Sequence, residues 1–388
     1  MHDHFSGTET DEQATDRLPA AHRSLLVACT SEPSAVESAL ERCCDLVDLT
    51  CCDETAAELL PLLYRQLCAA DLDHPARSVL AACYRESWRN AQQLIHNARP
   101  FFERLDEAGY PSLVLKGGAF ATATHHGDVG VRPIADLDVM IPTEALAEII
   151  SWAFKNDWRL VGGTPWSAEQ YISAHHAVDL CNAKGGALDV HHHLLSTDRS
   201  PDLDRALFGD AVETTLGDVK VSVLSPTHQM SHTLAHAKPE GLRHVADAIW
   251  LIRRHGSKID WAEVSLQLSE RRSLSAALHA LELVSEVDPT AVPTGIIAGL
   301  RLLDRHWSDW DHQTDTVETR RDATRVFFSR LAQQSRGASP GAKLAVGWQL
   351  ARLYAAPTGS VGRKALSMVA RSTNAGRRTT PGSGALTH

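Results

Sequence analysis

The sequence predicts an α+β fold in which one mixed β-sheet lies between an N-terminal and a C-terminal helical region. Apolar side chains recur at helical spacing over residues 17–107, short apolar runs alternate with Gly and Pro turns over 112–224, and helical spacing returns from residue 225. The chain has 388 residues, of which 43% are hydrophobic and 22% are charged. These values are typical of a globular protein with two or three domains and argue against a disordered or collagen-like chain.

Changes in composition and period divide the chain into five segments. We expect a disordered N-terminus, a helical region, the sheet, a second helical domain and a disordered tail rich in Gly, Ser, Thr and Arg. Their predicted bounds are 1–16, 17–108, 109–224, 225–371 and 372–388.

Helices are predicted where apolar residues mark one helical face, and strands where apolar residues run together or alternate with polar ones. The expected helices before and within the sheet region are 17–30, 34–47, 54–70, 74–107, 119–124 and 142–156. The expected strands are 112–115, 135–141, 158–161, 177–181 and 187–194, with a hairpin signal at 182–186.

Charge is distributed unevenly along the chain. Residues 1–60 hold 13 acidic and 3 basic side chains, whereas residues 323–388 hold ten Lys or Arg and no acid. Such a basic stretch can contact a polyanion, but it is more often a solvated tail or a partner for an acidic segment of the same chain. No run of 18 apolar residues is present and residues 1–4 are polar, so we expect a cytoplasmic protein without a membrane partner.

The cysteines and histidines raise the question of a metal site. Seven of the eight Cys precede residue 84 without C-x-x-C spacing, so buried reduced thiols are expected, with zinc binding as the minor alternative. His228, His232 and His236 share one helical face, and two of them could bind one ion. Because no H-E-x-x-H motif accompanies them, packing is the commoner explanation and a zinc hydrolase the lesser one.

The most informative segment runs from residue 113 to residue 141. A short strand ends in the Lys-Gly-Gly sequence at 116–118, and glycines just before a helix let backbone N–H groups approach a phosphate. Asp136 and Asp138 lie two residues apart on the next predicted strand, so both carboxylates project to one face and could hold one or two cations. Hard oxygen ligands favour Mg²⁺ or Mn²⁺.

The order of these features is the order that nucleotidyl transfer requires, with the phosphate loop first and the metal carboxylates second. Lys116 and Arg132 add positive charge at the two ends of the loop, although Arg132 could instead pair with Asp128 or Asp136 as part of the scaffold. A third carboxylate is expected from a neighbouring strand. Asp189 is the first candidate, and Asp179 on the partner strand is the competitor.

These motifs resemble a bacterial family of uncharacterised nucleotidyltransferases within the DNA polymerase β-like superfamily. The resemblance rests on the Lys-Gly-Gly turn, the R-P-x-x-D-x-D segment, the later L-D-V-H strand and a helical L-S-P segment followed by His residues, and it covers residues 20–290. It implies a β-polymerase-like catalytic sheet. The implied catalytic metal ligands are Asp136, Asp138 and Asp189, and the implied nucleotide-binding residues are Lys116, Gly117, Gly118, Arg132 and His191.

The resemblance also implies a reaction. An acceptor hydroxyl would attack the α-phosphorus of a nucleoside triphosphate and release pyrophosphate, with two cations activating the acceptor and Asp189 serving as the base. The acceptor is not specified, and a small molecule, a peptide or protein side chain and an RNA end are all compatible. Gly118 replaces the Ser of the superfamily turn, which removes one hydroxyl from the phosphate site. Further residues implied to lie near the site are His236, Arg243 and Asp247.

Three other functions are compatible with parts of the pattern. The D-x-D pair also occurs in glycosyltransferases, but 110 helical residues stand here where that fold has its nucleotide-binding half. A non-catalytic nucleotide- or partner-binding module could retain the same fold. A toxin-type nucleotidyltransferase directed at RNA would use the same residues with a different acceptor.

Overall fold

The computed structural model describes residues 18–161, 176–195, 201–238, 241–271 and 273–306. It confirms the α+β prediction, because a seven-stranded mixed sheet packs with helices from both ends of the described chain. Both segments predicted to be disordered, residues 1–16 and 372–388, lie outside the described residues. So does the part of the predicted C-terminal helical domain that follows residue 306.

Five α-helices precede the sheet. They are α1 (Ala20–Thr30), α2 (Val36–Cys44), α3 (Glu54–Ala57), α4 (Leu60–Ala69) and α5 (Arg77–Glu107). The helix expected over 54–70 is therefore two helices. Pro61 explains the break, because it lacks the N–H that would continue the first helix but is tolerated in the first turn of the second.

The seven strands form one sheet in the order β3-β4-β5-β2-β1-β7-β6. Their bounds are β1 (Leu113–Val114), β2 (Leu137–Met140), β3 (Trp158–Leu160), β4 (Ala177–Asn182), β5 (Ala187–His191), β6 (Val212–Leu216) and β7 (Val219–Val223). Strand β2 runs parallel to β5 and β1 runs parallel to β7, while the other neighbouring strands are antiparallel. The five predicted strands are present, most of them shorter than expected.

The β6–β7 hairpin was not among the predicted strands. Its sequence signal is alternation of buried Val219, Val221 and Val223 with polar residues, after a turn in which Gly217 has φ +62°. Because β7 pairs with β1, this hairpin completes the sheet on the side away from β5.

Helices cover the sheet and continue the chain beyond it. Within and after the sheet they are α6 (Lys116–Ala123), α7 (Thr143–Lys155), α8 (Pro201–Gly209), α9 (Pro226–Ala235), α10 (Leu242–His255), α11 (Trp261–Glu270), α12 (Leu274–Val287) and α13 (Ile296–His306). The helix expected at 119–124 begins three residues earlier, so the two glycines of the Lys-Gly-Gly sequence form its first turn.

The N-terminal and C-terminal helices share one hydrophobic core. Leu25 and Leu63 from the first group belong to the same buried cluster as Val245 and Leu281 from the second. A separate core lies between the sheet and helices α5 and α7. Helix α5 joins the two, because its first half contributes Leu80 to the helical core and its second half contributes residues to the sheet core.

The described helices include none that is both long and apolar enough to cross a membrane. All eight cysteines are free. Cys29 and Cys43 are buried as expected, whereas Cys44 and Cys51 are exposed, so the expectation of buried thiols is correct for only part of the set.

Replacing Phe101 tests the sheet core. Its side chain is fully buried in α5, and its ring packs edge-on against Phe102 and Trp152 with centroids 6.3 Å apart. Phe101→Ala should lower the free energy of unfolding by about 3–5 kcal/mol, because it removes buried apolar surface and leaves a cavity. Urea denaturation followed by circular dichroism measures this. Leu266→Ala, at a side chain that is 51% exposed, is the control and should unfold near the wild-type midpoint.

Candidate active site

Two carboxylates meet at the centre of the sheet because β2 and β5 are parallel neighbours. Their register places Asp138 directly opposite Asp189, so both side chains project from the same face. Asp136 lies immediately before β2, two residues from Asp138. Asp136 and Asp138 line one cavity, which is described below. The three acids named from the sequence therefore lie near one another in the structure.

His191 completes the central group. It lies two residues after Asp189 on the same face of β5, and its Nε2 is 3.2 Å from Asp138 Oδ1 and 2.9 Å from Asp189 Oδ2. Within the described residues, Asp138, Asp189 and His191 are the group whose ligand atoms all lie within 4.8 Å of one another. His191 was predicted to bind the nucleotide, whereas the structure places it against the carboxylates.

Lys116 approaches the same carboxylates from the start of α6. Its Nζ donates a hydrogen bond to Asp138 Oδ1 and lies 3.8 Å from Asp189 Oδ2. The backbone of Lys116 has φ +43°, in the left-handed region that costs a non-glycine residue about 1–2 kcal/mol. The backbone N–H of Leu115 bonds the Asp138 carbonyl at 2.9 Å, so the chain enters this strained conformation directly beside the acid it neutralises.

The charges of the group determine its protonation. Burial tends to raise the pKa of Asp138, but the hydrogen bond from His191 and the charge of Lys116 outweigh it and lower that pKa to about 2. Burial likewise tends to lower the pKa of His191, and its bonds to the two carboxylates raise it instead. Asp136 has a raised pKa because it is partly buried and lies near the other two acids. The group therefore concentrates negative charge next to an ammonium and an imidazolium.

The two glycines of the Lys-Gly-Gly sequence allow the first turn of α6 to lie close to neighbouring side chains. A Cβ on Gly117 would overlap with the side chains of Ile134 and Arg132, and a Cβ on Gly118 would lie 2.5 Å from Val114. Both glycines lie in the first turn of α6, where backbone N–H groups have no intrahelical acceptor. This end of the helix can bind an anion.

Arg132 is held by a buried ion pair. Its Nε donates to Asp247 Oδ2 at 2.9 Å, and its guanidinium lies over the Phe120 ring, 5.5 Å from the centroid. The scaffold partner is thus Asp247 on α10, rather than Asp128 or Asp136. The contact joins the loop before β2 to the helical region and fixes the guanidinium beside Gly117.

The helical region forms the opposite wall of a cavity of about 260 Å³. Arg243 on α10 contributes to this wall and is 3.3 Å from Glu58 and 3.4 Å from the Pro133 carbonyl. His236, Arg243 and Asp247, which the family resemblance implied to lie near the site, all line the cavity. Residues that the sequence did not single out also line it: Glu58, Phe120, Thr233 and His244. No local pattern marks Glu58, because it reaches the site only through the packing of α3 beside α10.

Other acids and histidines of the sheet and of α9 are not members of the three-residue group. Asp179 is opposite Asp189 on β4 but is not a member of the three-residue group. His193 bonds Asp204 at 2.8 Å. His228 bonds Asp210 at 3.1 Å and Gln267 at 2.8 Å, so the three helical histidines do not assemble a zinc hydrolase site among the described residues.

The central group has the chemistry of a divalent-metal site. Asp189 Oδ1 is buried and has no hydrogen-bond partner among the described residues, so one hard oxygen is free to bind a cation. The two carboxylates provide oxygen donors that Mg²⁺ and Mn²⁺ accept, and His191 adds a nitrogen donor only when its ring is neutral. These residues therefore fit a divalent cation.

A sequence profile described as an uncharacterised nucleotidyltransferase matches residues 55–287. The chain belongs to this family. The matched nucleotidyltransferase region begins in α3 and ends with α12, so it includes the sheet, the cavity and both of its walls. Comparison with curated proteins gives no significant match.

The buried ion pair between Arg132 and Asp247 should be important for stability. Asp247→Ala should destabilise this nucleotidyltransferase by about 3–5 kcal/mol, because it leaves a buried guanidinium without its acid. The double substitution Arg132→Met, Asp247→Leu should recover most of that loss. Chemical denaturation measures both. Asp218→Ala breaks the exposed pair with Arg99 and should leave the unfolding curve close to wild type.

Proposed function

We propose that the protein is a metal-dependent nucleotidyltransferase that transfers a nucleoside monophosphate from a nucleoside triphosphate to an acceptor hydroxyl and releases pyrophosphate. The observation that carries this proposal is the group formed by Asp138, Asp189 and His191, whose member Asp138 lines a cavity together with Asp136 and Lys116. Family membership supports the nucleotide as substrate.

The triphosphate would bind at the start of α6. The backbone N–H groups of Gly117 and Gly118 belong to the first turn of α6, where they have no intrahelical acceptor and can donate to a phosphate. The helix dipole also favours an anion at this end. Lys116 and Arg132 would neutralise the phosphate oxygens, and Arg132 is already oriented by its bond to Asp247. Pre-organised charge of this kind stabilises the charge that develops on the leaving pyrophosphate.

Asp136, Asp138 and Asp189 would hold the divalent cations, Mg²⁺ or Mn²⁺, with His191 in contact with two of the acids. When bound, the cations supply Lewis-acid polarisation of the phosphate and of the acceptor hydroxyl. Asp138 is kept ionised by its contacts with His191 and Lys116. Asp189 retains an oxygen without a protein partner and is the candidate to accept the proton of the acceptor.

Labelled nucleotides test the proposed transfer. Each α-labelled nucleoside triphosphate is incubated with the protein, Mg²⁺ or Mn²⁺ and host lysate fractions containing metabolites, protein or RNA. The wild type should label one fraction, which identifies the acceptor class. Asp138→Asn and Asp189→Asn should each reduce labelling by about a thousandfold, because each removes a charged oxygen from the reacting centre.

Asp179→Asn is the matched control for that experiment. It removes the carboxylate that faces Asp189 across the β4–β5 pair but leaves the three-residue group intact, so labelling should continue at a rate near that of the wild type. Equal loss in all three variants would contradict the assignment of Asp189. No labelling by the wild type with any nucleotide would favour a binding module without catalytic activity.

Metal affinity provides a test that does not depend on turnover. Mn²⁺ binding to the wild type, measured by titration calorimetry, should weaken at least about tenfold in Asp138→Asn. In Lys116→Met it should instead tighten about tenfold, because the ammonium that contacts Asp138 and repels the cation is removed. Weaker binding in Lys116→Met would show that Lys116 organises the carboxylates rather than competing with the metal.

A further inference from the structure

Two histidines on α9 line the cavity without using their full hydrogen-bonding capacity. His232 and His236 lie one helical turn apart, their ring centroids are 4.6 Å apart, and the Nε2 atom of each is buried without a hydrogen-bond partner among the described residues. His228, one turn earlier on the same helix, bonds protein side chains through both ring nitrogens. Buried polar atoms without partners are uncommon in folded proteins, and beside a reactive centre they indicate a ligand.

The chemistry of His236 narrows the class of that ligand. His236 has a hydrogen bond with the Leu194 backbone, and because Nε2 has no partner among the described residues, we assign that bond to Nδ1. Burial together with the charges of Lys116 and His191 lowers the pKa of His236 to about 3. A neutral imidazole that donates to a carbonyl from Nδ1 presents a lone pair at Nε2. The missing partner is therefore a hydrogen-bond donor. Ionised phosphate oxygens are acceptors only, so the triphosphate does not satisfy it.

The position of the two histidines indicates which part of a nucleotide supplies the donor. Both line the same cavity of about 260 Å³ as Lys116 and Asp138, so they lie near the carboxylates where the α-phosphate would react. In a nucleoside triphosphate, the ribose is joined to the α-phosphate through one oxygen, and its hydroxyls are the nearest groups that both donate and accept hydrogen bonds.

A second metal site does not explain these histidines. Among the described residues, neither His232 nor His236 belongs to a group of three metal-ligand atoms within 4.8 Å. The neighbouring cations Lys116 and His191 also oppose a further positive ion there.

We propose that His232 and His236 bind the ribose hydroxyls of the donor nucleotide and so make the enzyme select ribonucleotides. This inference rests on the proposed function, because it takes a nucleoside triphosphate as the ligand. It adds a specificity determinant on the helical wall, opposite the residues that bind phosphate and metal.

Equilibrium binding of nucleotides tests the proposal. The full-length protein is titrated with Mn²⁺ and each ribonucleoside triphosphate, and then with the matching 2′,3′-dideoxynucleoside triphosphate, in the absence of any acceptor so that no transfer takes place. The wild type should bind the best ribonucleotide about five- to tenfold more tightly than its dideoxy counterpart, the effect of losing one or two hydrogen bonds.

Variants of the two histidines test whether these residues cause the preference for ribonucleotides over dideoxynucleotides. His232→Phe and His236→Phe should weaken ribonucleotide binding about fivefold and leave dideoxynucleotide binding unchanged, whereas His236→Gln, which keeps a side-chain acceptor, should restore part of the preference. His228→Phe is the control on the same helix and should retain the wild-type preference. Circular dichroism and a thermal melt identify any variant that fails to fold, and the Gln variant then provides the test for His236.

The outcomes separate the two proposals. Equal affinity of the wild type for ribo- and dideoxynucleotides would overturn ribose recognition and leave the nucleotidyltransferase proposal standing. Equal weakening of both nucleotides in the Phe variants would assign the histidines a structural role and overturn the inference. If the wild type binds none of the nucleotides, both ribose recognition and the nucleotidyltransferase proposal are overturned.

Discussion

The site depends on the parallel pairing of β2 with β5 in the register that places Asp138 opposite Asp189. Neighbouring strands lie about 4.8 Å apart, so two ionised carboxylates on one face at this spacing repel each other unless cations lie between them. Lys116 and His191 supply that charge in the protein itself. A slip of one residue would turn Asp189 to the opposite face and place an apolar side chain there, which would remove the site.

The cavity exists because the two ends of the described chain fold together. The N-terminal helices share a core with α9 to α13, and this helical region provides the wall that faces the sheet. The buried pair between Arg132 and Asp247 links the loop before β2 to α10, as does the hydrogen bond from Arg243 to the Pro133 carbonyl. A buried pair of this kind is a strong constraint on geometry, because separating its members would leave an uncompensated charge in the interior. It therefore sets the position of the Arg132 guanidinium relative to the glycines of α6.

The two walls of the cavity differ in their charged and neutral side chains, and therefore in the ligand groups that they can bind. The sheet wall carries acids with Lys116 and the helix start, which suit cations and phosphates. The helical wall carries charged Glu58, Arg243 and Asp247. It also carries His232 and His236, whose pKa values are lowered by burial and by nearby cations, so that these two rings suit uncharged polar groups. The sequence around His228, His232 and His236 favoured packing over metal binding, but it treated the three residues alike. Their different partners in the fold separate His228 from the other two.

The sequence by itself determined the α+β class, the positions of most helices and strands, and the acids and cations of the sheet wall. These features are local, because hydrophobic period, glycine placement and the two-residue spacing of carboxylates act within a few residues. Only the tertiary structure decided that His191 contacts both carboxylates, that Asp247 rather than Asp128 holds Arg132, and that Glu58 lines the cavity. His191 and Asp138 are 53 positions apart and Arg132 and Asp247 are 115 apart, so strand register and helix packing, not local spacing, bring them together.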